Sequence, residues 1–586
     1  TGNIGLAGNY NTKTNETALK GDFRKVNLAQ LFGESAPQNI TGKIDIREKI
    51  NDTGFPTGTA VIQIDSVFYN NKNIRDISLK INSEKNNAEY SLIAADTALF
   101  CKLNGTLKSE KSGYNGEIKG SFDVNPFALN FLDNPLELKG EIDGNFGFSK
   151  TKTVGNVTLE KLTVQNENKV VNLGNLQLEM ASGDSLLFAK LRSAVLNVDF
   201  SSLATLQDFQ KAFLATDLKN AVNLDSANFI NLAEIGKLKE FRLGAKLNYH
   251  EIFQLFYPDT VLNFSDINIL FGKKNIDSLV TARIETEKIK FGQFSGIRPL
   301  ILASIETNGI DAAIETESIT TPALQFGASN VKLNILPSEI TGDLKIRGKE
   351  GEILYGIDLK AINENQEIKL VASPEWIINQ RKWSIKPSQV LSWMPATKKL
   401  KADVNIFSDN MQIRIGNDAT DSYKLLMKDV VLDSLVPNEL SEFIPLGILN
   451  AQINYKTAQQ NNLDYDLNFS QISWQNLAID QIQSKGNIVT DTTGILEGVF
   501  KVIVDDSATM NLEMGSKKLA KGEMLKGNFE TFPVKLIQPF IGEYVDQLKG
   551  TASGNIVFRE NEKQMLFDGN IAINDVSMKI IPLQTT

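Results

Sequence analysis

The chain has 586 residues, with 61 lysines and arginines against 70 aspartates and glutamates, a formal charge of −9 and a pI near 5.2. That balance, with no long basic run, argues against a nucleic-acid surface. Its 42% hydrophobic and 22% charged residues are those of an ordered chain, and its single cysteine excludes an internal disulfide or a cysteine-based zinc site while leaving the redox compartment open.

Length alone allows roughly four domains. No apolar run approaches the ~18 residues of a membrane span. The chain opens Thr-Gly-Asn with no initiator methionine or signal peptide. It reads as soluble and as a piece of a longer protein.

Taken in order, the chain is dominated by period-two alternation, each run a strand with one apolar and one polar face. A first unit runs from Gly21 through Phe23, Val26, Leu28, Leu31 and Phe32 to Ile40, Ile44 and Ile46: a strand, a short crossing and a new strand. Ile77, Leu79 and Ile81 then alternate with Ser78 and Lys80. Cys101 lies in a strand between Phe100 and Lys102, where a buried, inert thiol is expected. The unit recurs from Gly120 through Phe122, Pro126, Phe127, Leu129 and Phe131 to Leu138 and Ile142. A degenerate copy is read near Val198, Phe200 and Leu203.

From Ser202 to about Tyr257 the spacing turns helical in places (Leu203, Leu206, Phe213, then Ile252, Phe256), predicting a partly helical insert. Inside it Leu243, Ala245, Leu247 and Tyr249 still alternate as a strand. The sole histidine, His250, sits on the polar phase and reads as an exposed structural residue. Val331, Leu333 and Ile335 form a further strand. Glu375 to Met394 holds Trp376, Trp383 and Trp393 around prolines 374, 387 and 395, and reads as a loop or crossing. A shorter copy of the strand–crossing unit follows from Leu432 through Leu440, Phe443 and Gly447 to Ile453. Tyr465, Leu467 and Phe469 alternate next.

The clearest copy runs from Gly527 to Phe558. Phe529 ends a strand before Pro533, and Ile537, Ile541, Tyr544 and Leu548 fall on one helical stripe. Pro533 and Pro539 suit first-turn positions, so a single turn followed by a fresh helix start is expected. Gly550 and Gly554 then release a new strand, and Ile571 and Ile573 alternate after it. The four copies lie about 100, 310 and 95 residues apart.

Turn clusters such as Asn51-Asp52-Thr53-Gly54, Asn70-Asn71 and Gly348-Lys349-Glu350-Gly351 separate roughly 35 candidate strands, joined mostly as sequential antiparallel hairpins. At ~4.8 Å per strand, 35 strands give a contour of roughly 170 Å. Such a sheet must twist and cover its apolar face. Periodicity leaves two solutions open. The apolar faces pack against one another in several ordinary sandwiches, or each strand curls so that the sheet forms a U-shaped hydrophobic groove, with short helices at repeat junctions. The predicted organisation is groove repeats over 1–200, the partly helical insert over 201–260, groove repeats over 261–526, and a distinct end region over 527–586.

The run Phe532-Pro533-Val534-Lys-Leu536-Ile537-Gln-Pro539-Phe540-Ile541-Gly542, followed by Gly550-Thr-Ala-Ser-Gly554-Asn-Ile556 and Gly569-Asn-Ile571-Ala-Ile573, resembles the carboxy-terminal part of the TamB family, AsmA-like proteins of the Gram-negative envelope. Ile64-Asp-Ser-Val67 with Ile74-Arg-Asp-Ile77-Ser-Leu79, and Leu176-Gln-Leu178 leading into Leu196-Asn-Val198-Asp-Phe200, carry the same flavour more weakly. The chain departs from the family where Arg559-Glu-Asn-Glu-Lys replaces a Gly-Thr-Leu turn, and residues 574–577 lack a glycine turn. The family's membrane anchor and last strands are not in this sequence.

The resemblance implies an extended β-groove in the periplasm, anchored in the inner membrane and reaching the outer. It implies phospholipids as cargo, their acyl chains sliding along the groove, and an Omp85-type outer-membrane barrel (TamA-like) as partner. No catalysis, cofactor or nucleic acid is expected. The groove candidates are Ile77, Leu79, Ile81, Leu243, Leu247, Val331, Leu333, Ile335, Tyr465, Leu467, Phe469, Ile571 and Ile573. Ile537, Ile541, Tyr544 and Leu548 would form a junction helix packed on the groove end. A scaffold that offers β edges to outer-membrane barrel proteins is the alternative. A carbohydrate-active solenoid is disfavoured by apolar rather than polar repeat faces.

Overall fold

The computed structural model describes residues 2–28, 37–50, 56–69, 71–132, 135–166, 169–183, 186–214, 235–257, 261–275, 278–306, 309–364, 367–386, 390–397, 399–419, 421–437, 444–457, 461–474, 477–490, 496–515, 519, 523–541, 545–561 and 564–580. Strands hold 76% of the residues and helices 4%. Among the described residues thirty-six strands belong to one antiparallel sheet and five to a second, small one. The long antiparallel sheet with few short helices expected from the alternation is the fold observed. The chain divides into two compact units, residues 1–223 with 227–312, and 224–226 with 313–586.

In the first unit, most strands from Asn3–Asn11 onward pair with their sequence neighbours, some through short turns such as that at Asn71 (φ 62°) between Tyr69 and Lys72. The 201–260 stretch holds helix α1 (Leu206–Leu214), a helical turn at 235–237 and helix α2 (Phe253–Phe256). It also holds Phe241–Leu247, an ordinary member of the sheet, paired with Leu196–Ser202 on one side and Ile267–Lys273 on the other. Thr205 caps α1: its hydroxyl donates to Asp208 Oδ2 at 2.8 Å and accepts from the Asp208 amide at 3.2 Å.

In the second unit the 375–394 region corrects the sequence reading. It is strands rather than loop: Glu375–Ile378 pairs with Arg381–Ile385, bringing Trp376 opposite Trp383, and Val390–Met394 places Trp393 between Ile368 and Leu400. Strand Ile353–Glu364 pairs along one edge with both Glu367–Ala372 and Glu375–Ile378, so the sheet forks there before rejoining at Lys399–Ser408. Prolines delimit these strands instead of abolishing them.

Both units bend their strands by one device. Lys25, Asn39, Asp76 and Lys161 in the first, and Asp429, Gln471, Thr531, Gln547 and Asp575 in the second, have φ between 48° and 56°. Register shifts accompany many of them, at Phe23/Val26, Leu159/Leu162, Met427/Val430 and Phe529/Phe532. An extra residue in the left-handed region is a β-bulge, which kinks the strand and sharpens its twist. The parity of antiparallel strands puts these bulges near the same strand end within each unit, so together they make a crease. Apolar spacing follows: Leu159 is succeeded by Leu162 and Phe469 by Ile472, a step of three that keeps the apolar side chains on one face across the bulge.

At the carboxy-terminal copy the two-step helix is found, a 3₁₀ turn at Val534–Ile537 and then helix α3 (Gln538–Ile541). The stripe does not continue. The next strand already runs from Val545, where it pairs with Ile580, so Leu548 lies in a strand and not in the helix, and Gly550 and Gly554 are interior strand glycines with φ of 115° and 158°. Tyr544 lies outside the described residues.

Candidate functional site

Register, more than alternation, defines the candidate site. In the first unit one residue from each of seventeen successive paired strands forms a single cross-strand row. It starts Gly8–Leu19–Ile46–Ala60–Ile81–Tyr90. It continues Gly105–Ile118–Gly144–Val157–Leu178–Leu191. It ends Val198–Ala245–Ile269–Ile284–Ile301. Except for the phenol oxygen of Tyr90, no member carries a polar side-chain atom. At ~4.8 Å per strand the row runs ~77 Å.

The second unit repeats the arrangement. Val404–Ile415–Leu425–Ile453–Tyr465–Gly486 leads to Phe500–Leu512–Gly527–Ile556–Gly569. Upstream, Ile335–Ile340–Ala361–Leu370–Leu391–Ala402 forms a row that reaches the same strand, Lys399–Ser408.

Apart from small Ala60, Gly144, Gly527 and Ala402, row members are half-buried or exposed. Two sheets packed face to face would bury such a row completely. The sandwich solution left open by periodicity is therefore not what these residues adopt, and the apolar face stands uncovered along the middle of the strands.

Most sequence-predicted groove residues lie on or beside these rows. Ile81 and Tyr465 are row members, Ile77 and Leu79 sit on the same face of their strand as Ile81, and Leu467 and Phe469 adjoin Tyr465. Leu243 faces Phe200 and Phe271, and Leu247 faces Leu196 and Ile267. Ile335 is in the upstream row, with Val331 and Leu333 on the same strand facing Leu344 and Gly342. All of these are half-buried. Ile571 and Ile573 are more open, 47% and 61% exposed.

Glycines were not anticipated as lining. A Cβ on Gly486 would lie 2.7 Å from Tyr465 and 2.8 Å from Phe500, and one on Gly105 would lie 2.5 Å from the Tyr90 ring. These glycines let neighbouring aromatics lie flat across the row. The Tyr465 and Phe500 rings are 6.2 Å apart.

The opposite face is polar and laced with ion pairs between facing strand residues: Lys20–Asp45 (3.2 Å), Lys119–Asp143 (3.3 Å) and Lys485–Asp466 (2.8 Å). Bonds to Asp123 and then Glu137 raise the Lys139 pKa above its ordinary value, and a bond to Glu141 does the same for Lys161. These exposed pairs are worth little individually.

At the crease the apolar face is sealed, because the segments that link strand groups fold back over it. Leu129, in a turn opened by Asn125, packs on Val67 and Ile74. Leu255 of α2 packs on Leu136, Val164 and Val171, held by Lys169, whose ammonium meets Glu251 at 3.1 Å and Gln254 at 2.8 Å. His250 is half-buried and its Nδ1 accepts the Ile252 amide at 3.2 Å, so it serves the start of α2.

In the second unit the 432–436 turn takes Asn379 Nδ2 on the carbonyls of Asp433 and Val436 and the Tyr355 hydroxyl on that of Leu435. Phe532 and Leu536 pack on Ile472, Leu477, Ile479, Val504 and Ala508, while Lys535 Nζ donates to the Ala478 carbonyl at 3.2 Å. The junction thus seals through Phe532 and Leu536. Ile537 is 48% exposed, Ile541 is half-buried, and Leu548 is buried within its strand.

No group of three or more His, Cys, Asp or Glu among the described residues is placed to hold a metal, and Cys101 is buried. No helix among them is long and apolar enough to cross a membrane. No family model and no curated protein matches the chain.

Proposed function

We propose that the chain is a bridge-like lipid transfer protein of the TamB type, a non-enzymatic conductor of phospholipid acyl chains along its apolar rows. The observation that carries this reading is a row of apolar side chains held in register over seventeen strands yet left half-exposed. Each CH₂ removed from water contributes ~0.8 kcal/mol, which favours an acyl chain on the row over one in water. Successive rungs are ~4.8 Å apart and chemically alike, so steps along the row are nearly isoenergetic. A bilayer's hydrocarbon core is ~30 Å thick, so a chain of about half that length spans roughly three strands. The row supplies a path and no driving force, and directionality comes from another component.

The resemblance adds the setting: a periplasmic position between inner and outer membranes, an anchor in the inner membrane, an Omp85-type barrel at the outer, and support of outer-membrane assembly. The test is mass spectrometry of an organic extract of the purified chain, run beside photo-crosslinkers at Leu333 and Leu467. Co-purifying phospholipid and lipid adducts support the reading. An extract free of lipid with polypeptide adducts would replace it with the scaffold for barrel proteins.

A further inference from the structure

Apart from the rows, the first unit carries strands outside the long sheet whose surface the conduction of lipid does not use. Strand Lys288–Phe291 pairs with Leu262–Phe264 on one side and Phe294–Ile297 on the other, and all three belong to the small five-stranded sheet and not to the long one. Lys288–Phe291 and Phe294–Ile297 form a tight hairpin around Gly292 (φ 60°), a left-handed position suited to glycine.

One face of this ribbon is aromatic from base to tip. At the base Phe264 is buried, edge-on to Tyr249 (5.5 Å) and Phe253 (5.3 Å). At the tip Leu262, Phe291 and Phe294 face one another across the strands, and Tyr257 meets Phe291 at 6.4 Å. Here the side chains are bare: Phe291 is 51% exposed, Phe294 56%, Tyr257 49% and Val261 60%. Several large apolar groups converging uncovered at a tip mark a contact surface. The other ribbon face carries Lys288 and Lys290, both exposed and without an ion pair among the described residues, whereas the neighbouring Glu287 is taken by Arg298 at 3.2 Å.

We infer that this hairpin is a membrane-surface anchor that seats Phe291, Phe294 and Tyr257 in the interfacial layer of an anionic phospholipid bilayer, with Lys288 and Lys290 on its phosphates. The chemistry selects this partner. Phe291 and Phe294 bring apolar rings that gain from burial among acyl chains, and Tyr257 an amphipathic ring of the kind that sits between acyl chains and headgroups. Two unpaired lysines on a chain of net charge −9 complement an anionic surface locally, while the rest of the molecule is repelled by it.

The test uses the full chain and intact vesicles of phosphatidylethanolamine containing phosphatidylglycerol, read by co-sedimentation. The wild type binds, and binding weakens with salt. The double variant Phe291→Ser, Phe294→Ser loses binding at least tenfold, and Lys288→Gln with Lys290→Gln loses it severalfold on anionic vesicles only. Both retain the lipid found in the organic extract, which separates surface anchoring from cargo on the rows. Phe291→Trp gives a fluorescence blue shift on vesicle addition. The inference is overturned if the wild type leaves such vesicles in the supernatant, or if the serine variant binds as the wild type does. It is overturned equally if the serine change turns a dimer into a monomer in light scattering, which would assign the tip to a second copy of the chain.

Discussion

Leu467 and Ile472 lie five residues apart on one strand and on the same apolar face, yet Ile472 is 3% exposed and Leu467 is half-exposed. Leu467 is paired on both sides, with Ala451 and Ser484, whereas Ile472 follows the bulge at Gln471 and is paired only with Ile479. The cover differs too: Phe532 and Leu536 pack on the Ile472 cluster, and Leu467 is not among the residues of that cluster. The crease end of the strands is thus a small conventional core, and the middle is the same face left open. Stability is concentrated where side chains are sealed, and conduction is proposed where they are not.

The largest effect should come from the sealed end. Ile472→Ala removes buried methyls from the cluster with Leu477, Ile479 and Val504, and should cost ~2–5 kcal/mol in denaturant unfolding. Leu467→Ala, on a half-exposed side chain, should cost no more than about 1 kcal/mol. Equal losses at the two positions would erase the distinction between core and row. Next in size is Gly486→Val. Its Cβ would sit 2.7–2.8 Å from Tyr465 and Phe500, and overpacking of this kind costs ~1–3 kcal/mol. Full stability in that variant would mean that the two rings swing freely into the open space above the row.

Leu467→Glu sharpens the comparison from the other side. An exposed row tolerates a carboxylate, so the unfolding midpoint should move by the equivalent of about 1 kcal/mol or less. Phospholipid in the extract, and transport in a reconstituted assay, should fall steeply because the charge interrupts the apolar path. Unchanged transport would remove the row from the mechanism. The same change at Ile472 buries a charge and should unfold the local cluster.

Alternation made the strands and their two faces legible, and Ile77, Leu79 and Ile81 share one face of one strand as it indicates. Cover was not legible, because a period of two reports which face a side chain is on and never what lies above it. The crease left a trace in Ile64-Asp-Ser-Val67 and Ile74-Arg-Asp-Ile77, where apolar residues step by three. In sequence that step reads only as family flavour, since it takes the structure to show Asp76 in the left-handed region and the face preserved. Leu548 fell on a helical stripe by coincidence of spacing. The register with 577–580 claims that part of the chain as strand before any helix reaches it. Around Trp376 and Trp383 the prolines make the stretch read as a loop or crossing, but strands of four and five residues fit between them. The lining glycines were invisible for a simpler reason: a glycine signals a turn until its cross-strand neighbour is known to be aromatic.

The polar face opposite the rows sets the lower bound of the comparison, and one site there tests it by pH. Asp343 and Asp358 face each other directly across neighbouring strands, with Lys345 2.7 Å from Asp343. A hydrogen bond with Asp343 raises the Asp358 pKa, and the same bond, then Lys345, lowers that of Asp343. The raised group stabilises the fold below its unfolded pKa and loses that contribution as pH rises through its folded value. The lowered group stabilises above its unfolded pKa and loses its share as pH falls through its folded value. The two contributions coexist in a window around ordinary carboxylate pKa values, where the pair shares one proton; at neutral pH it is two facing like charges. Asp358→Asn keeps a donor toward Asp343 and cannot ionise. It should therefore stabilise the second unit at about pH 7 by ~0.2–1 kcal/mol, the scale of one cross-strand pair, with Lys345 and solvent screening holding the gain toward the low end. The gain should vanish at about pH 4, where the wild-type pair shares its proton. An identical difference at both pH values would show that the two carboxylates do not share a proton across the strands.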